Sequence, residues 1–168
     1  MKKRHTGRTV LLAVLALVVV GVLAAVAAYF LLGKKTAVKP EKFIEVLTAH
    51  DIPYEDITAE LALETKEYEQ GLFGEGTDPA NYVQAEYYRL VSESAAQRFF
   101  GSVKAAFEAQ KGNASGTTSV ELGNYAIYSL TTNGSYYYIA RVDQTVVIFV
   151  ADESCKDQVK AMCKAMGY

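Results

Sequence analysis

Residues 9–32, TVLLAVLALVVVGVLAAVAAYFLL, run for 24 positions without one charge, and that run constrains everything after it. At about 1.5 Å of rise per residue it makes a helix of roughly 36 Å, enough to cross a hydrocarbon core of about 30 Å with some tilt. The expected element is a transmembrane helix that uses the lipid bilayer as its first partner. A cleaved signal peptide competes with this reading, because Met1–Arg8 is basic and Ala25-Val26-Ala27 has the small-x-small form of a cleavage site. Signal h-regions stop after about 7 to 15 apolar residues, however, whereas this run carries on through Tyr29–Leu32. An uncleaved anchor is therefore expected, and with the first cysteine at Cys155 there is no thiol near it for lipidation.

Lys2, Lys3, Arg4 and Arg8 precede the run, and Lys34, Lys35, Lys39 and Lys42 follow it, so the positive-inside count is a tie. The first four sit in a very short tail, and a long following domain translocates largely regardless of charge. The expected layout is a cytoplasmic tail (1–8), the transmembrane helix (9–32), a polar linker (33–39) and an extracytoplasmic domain (40–168). Gly21 and Ala25 form a small-xxx-small pair of the kind that lets two membrane helices approach, although such residues are common in these segments.

The whole-chain balance of 17 basic and 19 acidic residues hides an asymmetry, since four basic residues and no acidic ones lie ahead of the anchor. The domain is left with 13 against 19, a net charge of minus six. That argues against nucleic acid and anionic headgroups as principal partners. The domain is large enough for one core without a metal or disulfide staple. Cys155 and Cys163 lie eight apart in what reads as one helix, about 12 Å along its axis, too far for a bridge, so both are expected as buried thiols.

Pro40 at a first helical position, followed by Phe43, Val46 and Leu47, predicts a helix ended by Asp51-Ile52-Pro53. From residue 55 to 80 the chain is acidic and poorly periodic. It predicts a partly mobile face, with a short helix capped by Thr58 and running to Tyr68, and a loop over GLFGEGTDP at Gly71–Pro79. YVQAEYYRLV from Tyr82 predicts a strand whose two faces are almost equally apolar, which requires either cover on both sides or a bulge. Ser94 with Gln97 resembles a capping box, and Ala96, Phe100, Val103 and Phe107 then make one helical stripe. Further strands are predicted over Val120–Leu130, bent at Gly123-Asn124, over Ser135–Val142 after an Asn133-Gly134 hairpin, and over Thr145–Ala151. A last helix, capped by Asp152 or Ser154, carries Cys155, Val159, Met162, Cys163 and Met166 on its apolar stripe. The expected fold class is α+β: helices on one face of a mostly antiparallel sheet of 3–4 strands, in the order α-(α)-β-α-β-β-β-α.

FIEVL at Phe43–Leu47, Y-x-x-A-E-Y-Y at Tyr82–Tyr88, SAA-x-x-FF at Ser94–Phe100, NYAIY at Asn124–Tyr128, YYYIARVDQTVVIFV at Tyr136–Val150 and the final MGY complete a pattern behind one anchor. In that layout the chain resembles small membrane-anchored or lipid-anchored extracytoplasmic proteins of Gram-positive bacteria. The resemblance implies an envelope location. It carries no activity and transfers no functional residues.

Catalytic residues are not expected. His50 is the one histidine of the domain and sits at a helix end, where histidine usually caps or packs, and no second histidine supports a metal site. No phosphate-binding glycine loop, zinc helix or calcium loop occurs, so neither a cofactor nor a metal is expected. Asn113-Ala-Ser115 and Asn133-Gly-Ser135 match glycosylation triplets, which are frequent by chance and carry no meaning in a bacterial setting. The order from Ser94 onward is also that of double-stranded-RNA-binding domains, a reading opposed by the net charge and the anchor. Twelve tyrosines raise one surface hypothesis: Tyr128, Tyr136 and Tyr138 as an exposed cluster gripping an envelope protein or a glycan, set against cross-strand pairs that simply stabilise the sheet. The expected function is a non-catalytic binding, sensing or complex-forming module of the envelope. The alternatives are a small envelope hydrolase using paired carboxylates and a structural subunit of a membrane complex whose sheet edge pairs with another protein.

Overall fold

Three two-residue turns set the C-terminal half of the domain. In the structure, a computed structural model, residues 18–22, 33–112 and 114–168 are described, and Lys35–Tyr168 form one compact unit. Gly123-Asn124, Asn133-Gly134 and Asp143-Gln144 each join two strands directly. Gly123 (φ 50°), Asn133 (52°), Gly134 (78°) and Asp143 (51°) supply the positive φ angles that make a tight hairpin follow the natural twist of its strands.

In chain order the elements are α1 (Pro40–Ala49), β1 (Tyr54–Asp56), α2 (Thr58–Glu64), β2 (Tyr68–Glu75), β3 (Val83–Leu90), α3 (Glu93–Ala109), β4 (Gly116–Leu122), β5 (Tyr125–Thr132), β6 (Ser135–Val142) and β7 (Thr145–Asp152). A 3-10 turn (Glu153–Cys155) then leads into α4 (Lys156–Met166). All strands join one antiparallel sheet in the order β1-β2-β3-β7-β6-β5-β4.

The fold is α+β with an antiparallel sheet, but the sheet has seven strands rather than 3–4. Two of the extra strands come from the acidic stretch, where GLFGEG belongs largely to β2 instead of a loop. Its glycines serve close approach: a Cβ on Gly71 would lie within 2.3 Å of Leu61 Cδ1, and one on Gly74 within 2.6 Å of Leu47 Cδ1. The short helix ahead of it ends at Glu64, so Tyr68 opens β2. A further strand arises because Gly123-Asn124 reverses the chain completely, making β4 and β5 from what reads as one bent strand.

Helices cover both faces, not one. Alternation sends Val83, Ala85 and Tyr87 of β3 to the face packed by Phe43, Val46 and Leu47 of α1 and Val159, Met162 and Cys163 of α4. Tyr88 and Leu90 point to the other face, packed by Ala95, Ala96 and Phe107 of α3. The two-sided apolar pattern of β3 is thus cover on both sides. Phe43, at 0% exposure, stacks tilted on Tyr87 with centroids 5.6 Å apart.

Three caps differ from expectation. Thr58 is the first residue of α2, with Ile57 in the cap position and no side-chain cap bond. Ser92, not Ser94, caps α3: its hydroxyl accepts the Ala95 N–H at 3.2 Å, while Ser94 sits in the first turn. Neither Asp152 nor Ser154 caps α4, which continues the 3-10 turn containing Cys155. Asp152 Oδ2 instead accepts the Tyr82 N–H at 3.0 Å, tying the start of β3 to the end of β7. Of the expected anchor, Val18–Val22 are helical and the rest of 9–32, Ala25 included, lies outside the described residues, as does the basic tail. Among the described residues no helix is long and apolar enough to cross a membrane.

Candidate functional site

The three tyrosines of the surface hypothesis do not share a surface. Tyr136 and Tyr138 lie on the α1/α4 face, 3% and 7% exposed, and Tyr128 lies on the α3 face at 1%. The reason is the register: Tyr128 stands opposite Ile139, so it takes the parity of Ile139 and not that of Tyr138. Burial raises the hydroxyl pKa of Tyr136 and Tyr138 and pushes the neighbouring Cys163 thiol up to about 12. Lys156 Nζ lies 5.4 Å from the Tyr136 ring centre and donates to Thr131 Oγ1 at 3.0 Å, so this lysine packs against the sheet. Lys104 takes a similar place 5.4 Å over the Tyr128 ring.

His50 closes α1, its N–H donating to Leu47 O at 3.0 Å. It borders a polar groove of about 330 Å³ with Asp51, Asp78, Asn81 and Gln158. Asp78 is engaged in its own turn, accepting from Asn81 Nδ2 at 2.8 Å and from the Ala80 N–H at 2.9 Å, and these bonds lower its pKa. Asp56 is lowered in the same way by Thr58. A general acid needs the opposite shift. Among the described residues no group of three or more His, Cys, Asp or Glu side chains is placed to hold a metal ion, and Cys155 and Cys163 are free and buried.

The two edges of the sheet contrast strongly. β1 has three residues, follows Pro53 and carries Glu55 and Asp56, the short, charged, proline-flanked form that discourages a further strand. β4, GTTSVEL, is seven residues long with one charge, no lysine and no proline, and it is largely exposed. Among the described residues β4 pairs with β5 alone.

Which groups of β4 are free follows from the hairpins. Residues flanking a two-residue turn exchange both hydrogen bonds, so Leu122–Tyr125 and Thr132–Ser135 are bonded pairs and bonding alternates from there. Odd-numbered residues of β5 consequently bond β4, and even-numbered ones bond β6. On β4 the residues at 116, 118, 120 and 122 face β5, while Thr117, Ser119 and Glu121 aim their N–H and C=O groups outward. Sequence reasoning missed this edge because it merged β4 with β5. The signal was present in Gly123-Asn124, a turn pair at the spacing of a hairpin.

Comparison of the chain with protein-family models and with curated proteins finds no match in either.

Proposed function

We propose that this chain is a membrane-anchored, non-catalytic binding module of the bacterial envelope, and that it engages its partner by strand addition at β4. The anchor and the outside location rest on the apolar run at 9–32 and the basic tail before it. The binding surface rests on the outer edge of β4, whose three outward residues offer a continuous row of donors and acceptors. An added strand satisfies that row through its own backbone, whatever its sequence, while side chains on alternate faces select the partner. The contrast between a guarded edge at β1 and an unguarded one at β4 carries the reading, because an open edge of this length invites aggregation unless something covers it.

The test is site-directed crosslinking in intact cells. A photoreactive residue replaces Thr117 or Ser119 in the full-length chain, and a second set of variants adds Glu121→Pro. Proline there removes an outward N–H and leaves the β5 hydrogen bonds intact. The expected result is a discrete adduct that the proline variant loses while the domain remains folded. If positions 117 and 119 give no adduct, strand addition at β4 is abandoned.

A further inference from the structure

We infer that the strand added to β4 is β4 of a second copy of this chain, related by a twofold axis at Ser119, so that two seven-stranded sheets merge into one. The inference rests on the strand-addition reading and names the occupant. A closed twofold interface requires that the surface complement itself, and GTTSVEL does so around its midpoint. With Ser119 facing its own copy, Thr117 stands opposite Glu121, and every outward N–H and C=O at 117, 119 and 121 meets an outward group of the other copy.

Side chains agree with that register. The single charge of the strand faces a threonine hydroxyl and not its own like charge, which would oppose pairing. Glu121 also falls on the α3 side of the sheet, the side on which Lys104 lies over Tyr128, the register partner of Ser119. On the other side Thr118 meets Val120, and Gly116, with open space at its Cβ position, meets the 37%-exposed Leu122.

The twofold also keeps like faces of the two copies together. A twofold that extends an antiparallel sheet by hydrogen bonding runs along the sheet normal, so both copies keep α1, α4 and the Val38 segment on the same side. The Lys35–Asn124 contacts of the two copies then stand at opposite ends of the merged strands. Anchoring in a common membrane raises their effective concentration, which offsets the mutual repulsion of two domains each of net charge minus six.

Cysteine crosslinking in membranes bearing the full-length chain tests this. In the proposed register the two Ser119 Cα atoms stand about 5.5 Å apart, within the reach of a disulfide. The two Thr118 Cα atoms stand roughly 8 Å apart, beyond it. Oxidation of Ser119→Cys is expected to give roughly tenfold more disulfide dimer than oxidation of Thr118→Cys, and adding Thr117→Pro to the Ser119→Cys chain should abolish it. No dimer from Ser119→Cys, equal dimer from both positions, or dimer that survives Thr117→Pro each overturns the inference.

Hydrogen exchange at β4 separates that failure from failure of the broader reading. If the 117, 119 and 121 amides are protected in membranes but exchange freely in the purified chain, another protein holds the edge: strand addition stands and self-pairing falls. If they exchange freely in both settings, both fall.

Discussion

Arg141 Nη1 lies 3.3 Å from Glu93 Oε1, joining a guanidinium that is 3% exposed to a carboxylate that is half in solvent. The same nitrogen also donates to the Asn124 and Asp143 carbonyls at 3.5 and 3.3 Å, so Arg141 fastens the N-terminus of α3 to two hairpin turns. Asn124 extends the fastening, donating to Lys35 O at 2.8 Å and accepting the Lys35 N–H at 3.1 Å. The start of the domain is thereby held against the turns at one end of the sheet.

The unequal exposure of this pair predicts unequal mutants. Arg141→Met should lower unfolding free energy by about 1 to 2 kcal/mol, because it removes the arginine's donor from the Asp143 carbonyl, while the Asn124 carbonyl keeps the Asp143 N–H at 2.9 Å. Glu93→Gln should cost less than about 1 kcal/mol, since Arg141 keeps its bond to the Asp143 carbonyl and the half-exposed carboxylate is already well solvated. Urea denaturation of the purified full-length chain checks both. Equal losses would mean that the ion pair matters more than the carbonyl bonds.

Two glycines should respond to alanine with opposite signs. A Cβ on Gly74 would stand 2.6 Å from Leu47 Cδ1 and 3.2 Å from Pro53 O, so Gly74→Ala should destabilise by about 1 to 3 kcal/mol through overpacking. Gly101 lies inside α3 with nothing within 4 Å of its Cβ position, so Gly101→Ala should stabilise by roughly 0.5 to 1 kcal/mol. Melting temperatures of the two variants decide the matter directly.

The Tyr128 hydroxyl is buried and has no hydrogen-bond partner among the described residues. Leaving a polar group unsatisfied is costly, whereas removing it is not. Tyr128→Phe should therefore leave stability unchanged or raise it by about 1 kcal/mol, while Tyr128→Ala should cost about 3 to 5 kcal/mol through the cavity it opens. A clear loss in the phenylalanine variant would reveal a partner for that hydroxyl.

Alkaline pH should unfold the domain through its buried phenols and thiol. Burial raises Cys163 and Tyr87 to about 12 each, and it raises Tyr88, Tyr138 and Tyr168 as well. In this direction the unfolded chain gives up protons before the folded one does, so the stabilisation is complete below the unfolded values and is lost as pH rises through the folded ones. Denaturation midpoints should hold steady to about pH 8 and then fall continuously toward pH 12. Cys163→Ala should weaken the onset near pH 9, where an unfolded thiol begins to ionise.

Much of the architecture was legible in local chemistry. Helical spacing in Phe43, Val46 and Leu47, the Asn133-Gly134 turn, the continuous apolar run of β7 and the stripe of α4 each marked an element that the structure contains. These signals survive folding because they depend on dihedral preference and side-chain period, which neighbours in the chain already determine. The expectation of a bilayer helix over 9–32 rests on the same kind of local signal, length and lack of charge, and most of that run lies outside the described residues.

Only the tertiary structure could decide what the glycines of GLFGEG were for, because Gly71 looks like a loop residue until Ile57 and Leu61 are brought against it. Only the register separates Tyr128 from Tyr136 and Tyr138, since a shift of one residue between strands exchanges the faces of a sheet. The open edge is likewise a property of strand order, and β4 is an edge because six other strands are arranged inward of it. Periodicity fixes what a segment becomes; packing between distant segments fixes which of its groups remain free to bind.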